Sequence, residues 1–247
     1  MPLVLFPSRR FQIRPRRGAR LSTLFCVPLT LISLLAVAGT AAEPAWETVA
    51  AGAITVKARP RPGSAVFEIW AEADLDAPVK DIQDTLTTMD RFQHFMPYVR
   101  AAKEVSREPD GSVYTYTELQ LPVISDRDYV VHVWLDEGVK PDGSGSFRCH
   151  WQAAPDKLPA RASLVRVKVN EGRWEVTPKG SGKSHVVYRF AADPGGMLPA
   201  WAANYGNRRG VSGTLEAIEK EAQRRRDERA ATAQKAAQAR ALPSPTH

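Results

Sequence analysis

The sequence predicts an α+β domain in which an antiparallel β-sheet packs against a long C-terminal helix. Three observations lead to this prediction. Residues 66–73 alternate as a strand does, and about six further strands separated by short polar turns follow between residues 98 and 193. After residue 196 the apolar residues recur at helical spacing. A wide, bent sheet closed by one helix can enclose a space, and such spaces are common sites for small molecules.

The first 42 residues differ in composition from the rest of the chain and predict a secretory signal. Six arginines precede an apolar run over residues 21–38, and small residues follow before Glu43. A basic start, an apolar middle and a small-residue exit are the parts of such a signal. We expect cleavage after Ala42 and a periplasmic or secreted protein. The alternative is an inner-membrane anchor formed by residues 21–38, because about 20 apolar residues span a bilayer.

The leader also accounts for most of the net charge. The whole chain has 34 basic and 27 acidic residues, and six of the basic ones are the leader arginines. The remainder is close to neutral, so its composition gives no reason to expect a nucleic-acid partner. Cys149 is the only cysteine after Ala42, which excludes an intrachain disulfide or a thiolate metal cluster in the domain. We expect a monomer that is held together by its core.

The elements follow in a simple order. After the strand at residues 66–73, two short helices are predicted, one presenting Val79, Ile82 and Leu86 on one face and one ending at Pro97. Further strands are predicted at residues 98–106, 114–121, 126–135, 147–151, 165–169, 172–177 and 186–190. Past about Arg226 the apolar stripe of the last helix fades. We therefore predict a domain over residues 43–226 and a frayed or disordered tail over residues 227–247.

Three segments resemble the START family of lipid-binding domains. Residues 121–130 (LPVISDRDYV) carry a proline and a loop before Arg-Asp-aromatic-Val, and residues 172–178 (GRWEVTP) form a glycine–aromatic–proline strand. Residues 193–205 (DPGGMLPAWAANY) enter the last helix through Gly-x-Leu-Pro followed by Asn. The resemblance covers about residues 46–221. It implies a helix-grip fold, in which a curved sheet wraps around the C-terminal helix, a hydrophobic tunnel for one lipid, and no cofactor.

The candidate ligand-binding residues are aromatic or polar side chains of the predicted strands and of the start of the last helix. They are Phe67, Glu118, Arg127, Tyr129, Trp134, Trp151, Trp174, Tyr188, Leu198, Trp201 and Tyr205. The aromatic ones can line a cavity or fill the core. Arg127 and Asp128 can contact a ligand head group, or they can form a structural pair that ties a strand to a loop.

The resemblance also implies a buried Glu–Arg pair like that of the sterol-binding members. Glu118 matches the glutamate, but Val133 stands where the arginine is expected. Glu118 is therefore expected to lack that partner, and sterol specificity is not carried over. An unpaired buried carboxylate tends to be neutralised.

The sequence predicts no catalytic residue and no metal site. The histidines are isolated, no serine has a nucleophile-elbow context, and no serine or aspartate is spaced to lie beside His132. The predicted function is an exported carrier or sensor of a lipid or other apolar small molecule, with transient membrane contact. One alternative is a polyketide cyclase- or aromatase-like enzyme using Glu118, Arg127 and Tyr129. The other is a structural or interaction protein that has no ligand cavity and works through its C-terminal tail.

Overall fold

The structure is a computed structural model that describes residues 43–64, 66–122, 124–195 and 200–241, and in the last range the side chains of residues 210–238. These residues belong to one compact unit, Glu43–His247. The predicted leader and Leu198 lie outside the described residues. Trp201 and Tyr205 lie on a described helix, but their side chains are outside the description.

A ten-stranded sheet forms the body of the domain. Its strands are β1 (Glu47–Ala50), β2 (Ile54–Pro60), β3 (Phe67–Leu75), β4 (Val99–Arg107), β5 (Val113–Leu119), β6 (Arg127–Glu137), β7 (Phe147–Ala153), β8 (Val165–Arg166), β9 (Val169–Pro178) and β10 (Ser184–Asp193). The spatial order is β1-β2-β3-β10-β9-β7-β6-β5-β4, and β8 pairs with β6. Every pairing is antiparallel except that of β8 with β6. The α+β prediction of a curved antiparallel sheet with a C-terminal helix is confirmed.

The predicted strand list needs two corrections. Two strands, β1 and β2, precede the strand that was expected to be the first, so the short helices follow the third strand. The inner side of β2 carries Ala58 as well as Ile54 and Val56, and flanking Gly and Pro make this segment look like a loop. The strand expected at residues 165–169 divides into β8 and the start of β9, because only two residues reach β6.

Three helices cover one face of the sheet. Helix α1 (Val79–Thr87) is followed by a 3₁₀ turn (Met89–Arg91) and the short helix α2 (Phe92–Phe95), and α3 (Ala200–Ala241) closes the fold. The buried stripe of α3 consists of Val211, Leu215, Ile218 and Ala222. It packs with β2, β3 and α1 in one apolar core. Small residues on the two strands, Ala58, Ala71 and Ala73, allow the helix to approach closely.

Helix α3 continues through residues 227–241, where the sequence predicts a frayed or disordered tail. Residues 227–238 are exposed, so burial does not hold them. Ala, Gln, Lys and Arg favour the helix intrinsically, and two arginines tie it to α1. Arg225 donates to the Asp84 carbonyl oxygen at 2.8 Å and to the Thr88 hydroxyl at 3.1 Å, and Arg229 pairs with Asp81.

A buried carboxylate, Glu221, joins α3 to the 3₁₀ turn. Arg224 donates to it from two nitrogens at 2.7 Å, Arg225 donates at 3.1 Å, and Arg91 donates from the turn at 3.3 Å. The hydrogen bonds from Arg224 lower the pKa of Glu221 to about 2; burial opposes them, and Arg225 and Arg91 add to them. Glu221 is therefore charged wherever the protein is folded at ordinary pH.

We expect this carboxylate to make the fold sensitive to acid. Its pKa is depressed on folding from an ordinary value of 4.5, so its stabilisation is complete above that pH and is lost as the pH falls to about 2. At about 1.4 kcal/mol per pKa unit, the loss is about 3 kcal/mol. Between pH 5 and pH 2, the free energy of unfolding should therefore fall by about 3 kcal/mol less in Glu221→Gln than in the wild type.

Glu228→Gln is the matched control for this pH experiment. Glu228 pairs with the same arginine, Arg224, but 63% of its side chain is exposed. An exposed pair of this kind contributes about 0–1 kcal/mol, so this variant should keep the wild-type acid profile. Equal acid sensitivity of Glu221→Gln and the wild type would contradict the assignment.

Gly172 lies so close to its neighbours that a side chain would not fit there. A Cβ at this position would lie 2.4 Å from the Arg189 carbonyl oxygen and 2.4 Å from Cζ2 of Trp151. Gly172→Ala should therefore lower the free energy of unfolding by about 1–3 kcal/mol, the usual cost of overpacking. Gly210 lies within α3 with nothing within 4 Å of its added Cβ, so Gly210→Ala should raise stability by about 1 kcal/mol. Urea unfolding of both variants checks the pair.

Candidate functional site

The inner face of the sheet is defined here as the face that packs against α1 and α3. Side chains alternate between the faces along each strand, so the register identifies the inner residues. Tyr188 on β10 lies opposite Ala71 on β3 and Trp174 on β9, and Trp174 lies opposite Cys149 on β7. All four side chains belong to, or pack against, the apolar core. These four residues therefore form one row of inner-face side chains across the neighbouring strands β3, β10, β9 and β7.

Four aromatic rings form a continuous surface on this inner face. Trp174 and Tyr188 stack with ring centroids 3.8 Å apart and an interplanar angle of 5°. Phe190 stacks on Tyr188 at 4.7 Å, and the ring centroid of Trp151 lies 6.0 Å from that of Tyr188. The indole nitrogen of Trp151 donates to the side-chain oxygen of Asn170 at 2.9 Å, so its polar atom is satisfied. Such a surface suits an apolar or ring-containing ligand.

Two tyrosines of the inner face, Tyr129 and Tyr188, are affected by burial and are nevertheless only partly buried. Burial raises the pKa of Tyr188, and the nearby Tyr129 raises it further. Burial also raises the pKa of Tyr129. Both side chains nevertheless keep accessible surface. Because two strands separate β6 from β10, the influence of Tyr129 on the pKa of Tyr188 agrees with a curved sheet.

One end of the inner face is polar. Thr117 lies opposite Tyr129, Thr115 opposite Val131, and Arg127 opposite Leu119. Thr115 is fully buried, and its hydroxyl has no hydrogen-bond partner in the described part of the chain. Arg127 is only 3% exposed. The inner face therefore has an aromatic end at β7, β9 and β10 and a polar end at β5 and β6.

Glu118 does not belong to this interior, and it is not unpaired as the sequence predicts. The register places it on the outer face, opposite Asp128. One of its oxygens accepts hydrogen bonds from Arg100 at 2.6 and 3.2 Å, and the other accepts from the Tyr116 hydroxyl at 2.8 Å and from Arg161. The partners come from β4 and from the loop after β7, positions that sequence spacing does not connect.

The Glu118 cluster is fixed in its charged state. Burial works to raise the pKa of Glu118, but the hydrogen bonds from Arg100 and Tyr116 and the charge of Arg161 outweigh it, so the pKa lies below its ordinary value. Burial raises the pKa of Tyr116 to about 12. Neither group has the pKa near neutrality that a general acid or base needs.

A second outer pair holds the loop between β7 and β8. Arg166 binds Asp128 through two nitrogens at 2.8 and 3.0 Å and also donates to the carbonyl oxygens of Pro155, Leu158 and Pro159. Asp128 is fully buried. The pair that ties a strand start to a loop therefore exists, but its arginine is Arg166 and not Arg127.

The structure brings together one pair that the sequence misses. The Ser112 hydroxyl lies 2.7 Å from Nε2 of His132, whose ring stands between those of Tyr114 and Trp134 at 4.0 and 3.8 Å. The expectation that His132 has no neighbouring serine or aspartate is wrong. Only the β5–β6 register reveals this neighbour, because 20 residues separate the two in the chain.

This serine–histidine pair lacks the features of a nucleophile. Ser112 is 4% exposed, and its hydroxyl donates to Asp110 at 2.6 Å, so the proton does not point at the histidine. A general base must accept that proton. The pair closes the turn at Asp110-Gly111.

A groove of about 580 Å³ lies on the outer face where β2, β3, β10, β9 and β7 run side by side. Its charged groups pair with one another: Arg59 and Arg189 both bind Glu68, at 2.7 and 2.5 Å, and Arg61 binds Glu171 at 2.6 Å. A groove with charges that are already satisfied offers little to an apolar molecule.

The predicted site residues thus divide between the two faces. Phe67, Arg127, Tyr129, Trp151, Trp174 and Tyr188 lie on the inner face, and Glu118 and Trp134 lie on the outer face. In the described part of the chain, no three His, Cys, Asp or Glu side chains are grouped so that they could hold a metal ion. None of the helices described there combines the length and the hydrophobicity needed to cross a bilayer.

Comparisons with known proteins point to lipid-transfer domains. A STAR-related lipid transfer protein from Xanthomonas axonopodis (fragment 25–204) shares 29% identity; the match covers 72% of this chain and 98% of that one, with a TM-score of 0.63. Rat phosphatidylcholine transfer protein is 26% identical over 144 residues, 58% of this chain and 66% of its own length. An uncharacterised protein of Pseudomonas aeruginosa is 28% identical over 133 residues, 51% of this chain and 64% of its own length.

The chain spans just under two thirds of the length of both of these curated relatives. No protein-family model matches the chain. The resemblance that the three sequence segments carry is nevertheless confirmed by the fold and by the lipid-transfer domains among its relatives.

Proposed function

We propose that this chain, which resembles START lipid-transfer domains in sequence and fold, binds one lipid or other hydrophobic small molecule in a hollow between the inner face and α3. The observation that carries this proposal is the pair Tyr129 and Tyr188, which lie deep and yet keep accessible surface beside stacked aromatic rings. The lipid-transfer relatives support the same ligand class.

The driving force is the removal of apolar ligand surface from water, about 25 cal/mol per Å². The aromatic end offers flat apolar contact through Trp151, Trp174, Tyr188 and Phe190. Binding through such contacts needs no cofactor. We therefore propose a carrier or sensor, and the predicted transient membrane contact is the step at which a lipid would be exchanged.

The cyclase-like alternative requires polar groups with adjustable protonation inside the hollow. Of its three candidates, Glu118 lies on the outer face and is held charged by Arg100 and Arg161. Tyr129 is on the inner face, but burial raises its pKa and so disfavours the phenolate. The arrangement therefore favours binding over catalysis.

A substitution that fills the hollow tests the carrier proposal. Val133 lies on the inner face opposite Trp151 and is only partly buried. Val133→Trp should place an indole in the ligand space and reduce the lipid that co-purifies with the protein at least tenfold. Native mass spectrometry of protein from its own host, followed by lipid extraction, measures the loading and identifies the lipid.

Val187→Trp is the matched control, because Val187 lies on the outer face opposite Glu72 and Glu175. This variant should keep the wild-type lipid loading. The proposal is abandoned if wild-type protein carries no apolar molecule, or if folded Val133→Trp carries as much as the control.

We also propose that the protein is exported and that its leader is removed after Ala42. The support is the order of six arginines, an apolar run and small residues in the sequence. Cell fractionation should find the protein outside the cytoplasm, and N-terminal sequencing should begin at Glu43. Recovery of the full chain in the inner membrane would instead favour the anchor formed by residues 21–38.

A further inference from the structure

The most unusual charged group on the inner face is Arg127. Its side chain is 3% exposed, and its register position at the start of β6 sets it on the inner face, between Leu119 of β5 and Val165 of β8. Buried arginines are ordinarily paired with a carboxylate. Within the described residues, Arg127 makes one hydrogen bond, from Nη1 to the Ser125 carbonyl oxygen, and its buried Nε has no acceptor.

Both neighbouring carboxylates are engaged elsewhere. Asp126 binds Arg100 at 2.8 Å, and Asp128 binds Arg166 through both of its oxygens. Alternation along the strand sends Asp128 to the face opposite that of Arg127. Burial lowers the pKa of Arg127, and the charge of Asp126 acts in the other direction. The guanidinium is therefore a buried cation that makes no direct ion pair with a carboxylate in the described part of the chain.

Other donors lie at the same end of the inner face. Thr117 and Tyr129 form the next pair along β5 and β6, and the Thr115 hydroxyl beyond them is buried without a partner. Groups of this kind cost free energy unless an acceptor joins them. The aromatic end at Trp151, Trp174 and Tyr188 has no comparable group with an open donor. The two ends of the inner face thus match the two ends of an amphipathic molecule.

We infer that Arg127 binds an anionic oxygen of the ligand, and that the ligand is a lipid with a carboxylate or phosphate group. The planar guanidinium presents parallel N–H donors that fit either oxyanion, and a charge-assisted pair is strongest where water is excluded. The inference rests on the proposed function, because it requires that a lipid occupies the hollow. It adds the chemical class of the ligand and its orientation, with the anionic end at β5 and β6.

Matched lipid pairs test the inference on the purified full chain. Oleate and oleyl alcohol differ only at the polar end, and phosphatidic acid and diacylglycerol differ by the phosphate group. We expect at least tenfold tighter binding of the anionic member in one pair or both, measured by tryptophan fluorescence titration and by native mass spectrometry. A preference in the first pair identifies a carboxylate ligand, and a preference in the second identifies a phosphate ligand.

The variant Arg127→Met should reduce that preference at least tenfold while still binding the neutral member. Arg173→Met is the control: Arg173 is an outer-face arginine on β9 that pairs with Glu175, so its loss should leave the preference intact. Circular dichroism checks that each variant folds. If Arg127→Met does not fold, Arg127→Gln, which keeps hydrogen-bond donors but no charge, takes its place.

The outcomes separate the two proposals. Equal binding of charged and neutral lipids by the wild type, or an unchanged preference in the folded Arg127 variant, overturns the role of Arg127 and leaves the lipid-binding function standing. Binding of none of the four lipids overturns the proposed function itself.

Discussion

The structure depends on a mismatch of width between the sheet and the helix that covers it. Nine strands stand side by side from β1 to β4, and at about 4.8 Å per strand they would span about 40 Å if they lay flat. A helix with its side chains is about 10–12 Å across. One helix therefore cannot cover the apolar face, and the sheet must bend around it. The proximity of Tyr129 and Tyr188 on non-adjacent strands records this bend.

The helices cover the inner face unevenly, and the less covered part is the candidate site. The stripe of α3 from Val211 to Ala222 meets the small residues of β2 and β3, where the backbone elements lie close. Large rings stand on β7, β9 and β10, and of these rings Trp151 and Tyr188 are only partly buried. Close packing at one side and partly buried rings at the other allow the proposed ligand space to lie beside a well-packed core.

Most charged clusters of the sheet lie away from the inner face. Glu118, Arg100 and Arg161 cluster on the outer face, and Asp128 and Arg166 lock the loop after β7 there. Glu221 and its three arginines lie where α3 leaves the sheet and runs along the 3₁₀ turn. These networks need no ligand. Arg127 is the exception on the inner face, because the register gives it the orientation of the core residues while its neighbours Asp126 and Asp128 pair elsewhere.

The sequence by itself determined the fold class, the long last helix and the aromatic content of the inner face, because strand alternation and helical spacing are local properties of the chain. It also identified Trp174, Tyr188 and Arg127 as candidates. It could not place Glu118 outside, join Ser112 to His132, or show that Asp128 pairs with Arg166. Those facts depend on strand register and on loops that return from distant positions. A shift of one residue in register moves every side chain of a strand to the opposite face of the sheet. Only the tertiary structure therefore decided which charges face the inner side.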